Sequence, residues 1–230
     1  MKHNSSIYVI SLHPVFNKEL VPRFESFDNE HSSYLYKSLL LNQVELTNKL
    51  IDKSNIFFCF DINDREFLND NLGSIQSIDF IDTNWDNMLK RLFEKYFQRF
   101  NNNIIIFSNS IGITENDLTN ALNLLSIEDE AFVLGKSINN NLSFIGFNSF
   151  NQDIFEDADL LNLNYNTLLN RVVKFELFVH VLDNFMLIKN IDDFKELYDR
   201  LSKKESFAYC SQEIHERFTN LFIEYKDLLK

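Results

Sequence analysis

The loop after the first apolar run carries most of the charge that could meet a ligand. It reads His13-Pro-Val-Phe-Asn-Lys18 and continues to Pro22-Arg23. Lysine and arginine bind phosphate groups, arginine with a two-pronged fork. Lys18 and Arg23 are therefore candidate phosphate ligands, and His13 is the histidine best placed for a site. The other candidates are mostly neutral. Asn109 follows the apolar run Ile104–Phe107, and Asn139, Asn140 and Asn141 form a polar tripeptide between two apolar runs. Asparagine amides can hydrogen-bond a ribose, a base or a sugar, but they bring no charge to a metal ion. Lys189 adds a cation late in the chain.

Other chemistry is absent or weakly signalled. There is no Ser-His-Asp order, no Gly-x-Ser-x-Gly and no Walker-type loop, and Ser108 and Ser110 have no evident base. Asp61, Asn63 and Asp64 come after the second apolar run and read as a solvated loop capping the next helix. The acidic stretch Glu156-Asp-Ala-Asp159 also reads as solvated. His180 alternates with Val179 and Val181, which suits a core or surface position in a strand. Arg91 lies on an amphipathic helix and reads as a structural ion-pair partner.

These residues need elements to hold them. Short β-branched and aromatic runs predict strands at residues 7–12, 56–60, 77–81, 104–107, 130–135, 142–147 and 177–182. Helical spacing of apolar residues predicts helices over 31–53, 84–97, 168–173, 192–201 and 213–229, with a shorter one at 64–71. Thr114-Glu-Asn-Asp117 has the capping residue and acidic first turn of a helix running to Leu125. Alternation of strands and helices predicts an α/β three-layer sandwich with a mainly parallel mixed sheet. Residues 1–203 form that domain, and 204–230 form a C-terminal helical extension packed on it. In such sheets ligands bind beyond the carboxyl ends of the strands. That rule brings the Pro14–Arg23 loop, Ser108–Gly112 and Asn139–Asn141 to one cleft.

Composition narrows the partners. The net charge of -12 disfavours nucleic acid and anionic membrane, both of which need a basic surface. No segment approaches 18 apolar residues, so no membrane span is expected. No secretory signal or disulfide framework appears, and Cys59 within Phe57-Phe-Cys-Phe60 reads as a buried small hydrophobe. The expected setting is a bacterial cytoplasm. With only 4 glycines and 2 prolines, turns must rely on Asn, Asp and Ser.

The loops resemble those of a bacterial glycosyltransferase-A-like family, itself similar to nucleotide-diphospho-sugar transferases. The resemblance spans about residues 6–200. Pro14-Val15 looks like the family's Pro-Val-Pro-Gly loop, Arg23-Phe24 like the Arg-Leu that ends it, and Arg91 like its helical arginine. Phe107-Ser-Asn-Ser-Ile-Gly-Ile113 keeps the glycine but has Asn109 for an aspartate. In the motif from Leu134-Gly135 to Gly146, Asn139 replaces an aspartate, and Asn140 and Asn141 replace two glycines. Ile188-Lys-Asn-Ile-Asp-Asp-Phe194 keeps Asp193 but has Lys189 for an acid. Three of the four glycines fall on family positions.

The resemblance implies a nucleotide-diphospho-sugar transferase-like fold with a nucleotide or nucleotide-sugar as ligand. The departures imply a degenerate pseudoenzyme without metal-dependent transfer, because Mg²⁺ and Mn²⁺ prefer anionic oxygens. No cofactor is expected, and Mg²⁺ or Mn²⁺ only if asparagine can do the work of aspartate. Two alternatives stand beside this reading. One is an active glycosyl- or nucleotidyltransferase using Lys18, Arg23 and Lys189 as fixed cations. The other is a non-enzymatic interaction module docking through the terminal helix.

Overall fold

The computed structural model describes residues 3–68, 78–81, 85–155, 164–203 and 209–229. Among the described residues, eight strands form the sheet: β1 (Ser5–Ile10), β2 (Asn55–Asp61), β3 (Ile78–Ile81), β4 (Asn102–Phe107), β5 (Ser110–Ile111), β6 (Ala131–Ser137), β7 (Leu142–Phe147) and β8 (Phe178–Leu187). Their order is β3-β2-β1-β4-β7-β6-β8-β5. The first four run parallel, β7 is antiparallel to both neighbours, and β6 and β8 are again parallel. Among the described residues the helices are α1 (Asn29–Asn48), α2 (Trp85–Lys95), α3 (Glu115–Ile127), α4 (Tyr165–Lys174), α5 (Ile191–Leu201) and α6 (Gln212–Glu224). The predicted α/β sandwich with a mainly parallel mixed sheet is the observed fold.

The central strands are buried on both faces, as a parallel sheet between two helical layers requires. Tyr8, Ile105, Phe107, Phe132 and Leu134 join one core with α2 and α4. Their neighbours Ile7, Ile104, Ile106 and Val133 join another with α3 and the end of α1. The side-chain period of two thus splits each strand between two cores.

Most predicted elements hold, with shifted ends. The helix predicted from Thr114 is capped as expected: Thr114 and Asp117 form a reciprocal capping box. The two-residue strand β5 has no sequence pattern and exists because Ser110 and Ile111 pair with the end of β8. A 3₁₀ turn at Ile62–Phe67 stands where a short helix over 64–71 is predicted; residues 69–71 lie outside the described set, as do Ser77, Asn84 and the acidic stretch with Asp157 and Asp159. Left-handed backbone is carried by Asn140 and Asn184, as the scarcity of glycine predicts, but also by Glu25, Glu130 and Glu176. Gly135 sits under the ring of its cross-strand partner Phe144, where a Cβ would collide.

Helix α6 is amphipathic as predicted. Its Ile214, Phe218, Leu221 and Phe222 are buried with Phe24, Phe27, Leu35 and Phe194 in a further core. The terminal stripe therefore faces the protein's own interior, not a free docking surface. Among the described residues no helix is long and apolar enough to cross a membrane.

Candidate functional site

The carboxyl ends of β1, β4 and β6 place two groups of predicted residues on one edge of the sheet. The first joins Asn109, Asn139, Lys189 and Asp193. Asn109 is fixed by the backbone of Ile188: its Nδ2 donates to the Ile188 carbonyl (2.9 Å) and its backbone carbonyl accepts the Ile188 N–H (2.9 Å). Its Oδ1 is buried, with no hydrogen-bond partner among the described residues. Asn139 is exposed at the tip of the β6–β7 hairpin, and its Nδ2 donates to Asp193 Oδ1 at 2.5 Å.

Asp193 is 2% exposed. Its Oδ2 accepts from the backbone N–H of Lys189 (2.9 Å) and of Asn190 (3.2 Å). Asn190 caps α5 and Asp193 completes the capping box. Asp193 is therefore a helix-start residue at this edge of the sheet. Burial raises its pKa, while the Lys189 amide, Asn139 and the Asn190 amide pull it back down.

Asn140 and Asn141 build the turn. Asn140 has φ of 57°, and its N–H donates to the Ser137 carbonyl while its own carbonyl accepts from Tyr165 N. The Asn141 carbonyl accepts the Ser137 N–H, and Asn141 bridges to Asn164. Asparagine does here what glycine does elsewhere, by tolerating left-handed backbone. Lys136, which no pattern singled out, lies over the Tyr165 ring beside this turn (5.2 Å).

The second group is the loop after β1. His13 Nδ1 lies 2.9 Å from the Pro14 carbonyl, and its ring meets Tyr36 edge-on at 4.2 Å. Burial lowers its pKa, opposed by the Pro14 carbonyl and by Asp64 and Asp61. Lys18 is exposed. Arg23 is exposed too, and its Nε donates to the Phe27 carbonyl (2.6 Å). That contact ties Arg23 to the region of α6, where Tyr225 stacks on Phe27 at 3.8 Å.

Two acids differ from expectation. Asp61 and Asp64 are buried, not solvated. Asp61 does cap its own turn, accepting from Asn63 N (2.9 Å). Asp64 reaches across to the β1 loop and accepts three backbone N–H groups, from Val15 (2.7 Å), Phe16 (2.9 Å) and Asn17 (2.9 Å). The sequence could not signal this, because backbone amides have no residue signature. Ser110 Oγ donates to the Ser143 carbonyl (2.7 Å) inside the core, and His180 is a half-buried residue of β8. Arg91 lies near Cys59 and Tyr96 and favours their ionised forms.

A divalent cation fits this donor set badly. Hard cations take carboxylate oxygens, and the carboxylate that meets Asn139, Asp193, already accepts three hydrogen bonds. Among the described residues, no three His, Cys, Asp or Glu side chains are grouped to hold a metal.

The strand order and the mixed sheet make an α/β fold similar to that of solved nucleotide-diphospho-sugar transferase-like structures. No protein-family model matches the sequence, and no curated protein matches it. Solved structures do. One is a "putative nucleotide-diphospho-sugar transferase" from Desulfovibrio desulfuricans G20: TM-score 0.75 and 19% identity, over 98% of this chain and 96% of that one. A cytidylyltransferase from Leptospira borgpetersenii serovar Hardjo-bovis has a TM-score of 0.52 and 9% identity, over 100% and 97% of the two chains. A 4-diphosphocytidyl-2C-methyl-D-erythritol synthase from Anaerococcus prevotii DSM 20548 has a TM-score of 0.50 and 10% identity, over 95% and 98%. At such identities the likeness concerns the fold.

Proposed function

We propose that this chain binds a nucleotide or nucleotide-sugar at the carboxyl edge of its sheet and has lost metal-dependent transfer. One observation carries the reading: the Asn139 amide donates to Asp193. A carboxylate at 139 would add charge for a cation, whereas the amide satisfies Asp193 internally. The fold supports the ligand class, since its structural neighbours include a nucleotide-diphospho-sugar transferase-like protein and a cytidylyltransferase. Asn109, Asn139 and Lys189 remain able to hydrogen-bond or pair with ribose, sugar or phosphate oxygens, with His13, Lys18 and Arg23 on the neighbouring loop.

A metal-independent transferase is the second reading, favoured by Lys189 at the carboxyl edge, where the resembling family has an acid. Thermal unfolding with a panel of nucleotides and nucleotide-sugars, with Mn²⁺ and with EDTA, tests both. The expected outcome is a ligand shift unaffected by EDTA. A shift that requires Mn²⁺ would defeat the metal-free reading. Turnover of a nucleotide-sugar in EDTA would replace the binding reading with the second.

A further inference from the structure

Along Phe178–Leu182, β8 has β6 on one side, in parallel register from Ala131 opposite Phe178 to Gly135 opposite Leu182. On its other side β5 pairs only with Met186 and Leu187. Among the described residues, no strand meets that side of Phe178–Leu182. An open edge presents backbone N–H and C=O groups that a further strand can bond, and natural edges are usually blunted by Lys, Pro, a bulge or an inward charge. This stretch, Phe178-Val-His-Val-Leu182, has none of them. It is also apolar on both faces. Phe178 is 57% and Val181 42% exposed, and the side-chain period of two puts them on opposite faces. Val173 and Phe175, at the end of α4, are 56% and 40% exposed just before the strand.

The stretch is symmetric about its middle residue, His180. Apolar residues stand one and two places away on either side. Left-handed residues bound it, Glu176 and Asn184, each four places from His180. Arg200 Nη1 closes the far end by donating to the Asn184 carbonyl (2.9 Å).

We propose that a second copy of this chain occupies the edge, β8 pairing antiparallel with β8 of that copy about a two-fold axis at His180. Such an interface uses the same patch twice, so the patch must complement itself. Here it does. Phe178 lies opposite Leu182 of the second copy, and Val181 opposite its Val179, so each exposed apolar side chain meets a half-buried one. Charge fits the same register: Asp183 falls opposite Leu177 and Glu176 opposite Asn184, so no acid faces an acid in a chain of net charge -12. Registers displaced by one residue pair on each strand are worse, because they set Val179 against Asp183 or Phe178 against His180. A foreign strand would have no use for the symmetry about His180.

Sedimentation equilibrium of the full chain at about 100 μM, above the micromolar end of protein–protein affinities, tests this. The expected mass is twice the 27.3 kDa of one chain, and a monomer at that concentration would overturn the proposal. Val181→Lys places a charge on the edge and should weaken the dimer about tenfold, since two cross-strand apolar pairs are lost per dimer. A dimer that Val181→Lys leaves unchanged would overturn its location. Cysteine crosslinking tests the register, and decides alone if Val181→Lys does not fold. The two copies of residue 180 would have Cα atoms about 4.5–5.5 Å apart, within disulfide reach, whereas the two copies of residue 178 would lie about 13 Å apart along the strands. Mild oxidation should therefore give a covalent dimer of His180→Cys and not of Phe178→Cys. Crosslinking of His180→Cys no better than that of Phe178→Cys would overturn the pairing.

Discussion

Asn139 donates to Asp193 across 2.5 Å, a contact that needs an amide on one side. Asn139→Asp would face two carboxylates and leave Asp193 Oδ1 without its donor. The substitution should cost about 1–3 kcal/mol at neutral pH. Two treatments should rescue it: acid, which protonates the pair, and Mn²⁺, which binds the folded form preferentially. Thermal unfolding with and without Mn²⁺ measures this, and equal stabilisation of the wild type would contradict the amide argument. His13 gives a second prediction at the same scale. Burial lowers its pKa against Asp61 and Asp64, so the unfolded chain takes up a proton near pH 6.5 before the folded chain does. Protein stability should therefore fall as pH drops through that value. In His13→Gln the slope below about pH 7 should be shallower, as read from urea midpoints. A slope identical to the wild type would assign the titration elsewhere.

Element ends show where sequence patterns suffice and where they do not. The Thr114 cap of α3 was legible because a capping box is a local code: Thr114 Oγ1 and Asp117 Oδ2 meet within one turn. Thr114→Ala should cost about 1 kcal/mol, measurable as a lower urea midpoint with an unchanged slope. The core strands were legible for a similar reason, since runs such as Ile104–Phe107 are apolar on both faces. Strand β5 was not, because two residues carry no periodicity and their pairing partners, Leu187 and Met186, are far along the chain. Asp64 failed for another reason. An aspartate after a strand usually caps the adjoining turn or helix, and only the tertiary fold brings the β1 loop within its reach. Candidate residues thus became visible through their own chemistry, and their partners became visible only when backbone was placed. The β1 loop, the Ser108–Gly112 segment and the Asn139–Asn141 turn do lie at one sheet edge, as strand polarity predicts. Asn109 and Asp193, however, spend much of their hydrogen bonding on the protein itself.

Across the whole molecule, α6 helps to support the β1 loop. Phe218 is fully buried, in a cluster that combines Phe24 and Phe27 of the β1 loop, Leu35 and Leu39 of α1, and Phe194 and Leu197 of α5. The same helix ends at Tyr225, which stacks on Phe27 and whose hydroxyl accepts the Asp28 N–H (3.2 Å). Arg23 donates to the Phe27 carbonyl, so the position of a candidate ligand residue depends on the C-terminal helix through two contacts. Phe218→Ala should leave a cavity there and cost about 3–5 kcal/mol. Against a typical total of about 5–15 kcal/mol, that loss would remove much of the stability of the chain. Because the cluster draws on both ends of the sequence, denaturation should remain one cooperative transition, tracked equally by far-UV circular dichroism and by tryptophan fluorescence. Two separated transitions, with only the smaller displaced by Phe218→Ala, would instead make α6 an appendage whose docking is independent of the sheet.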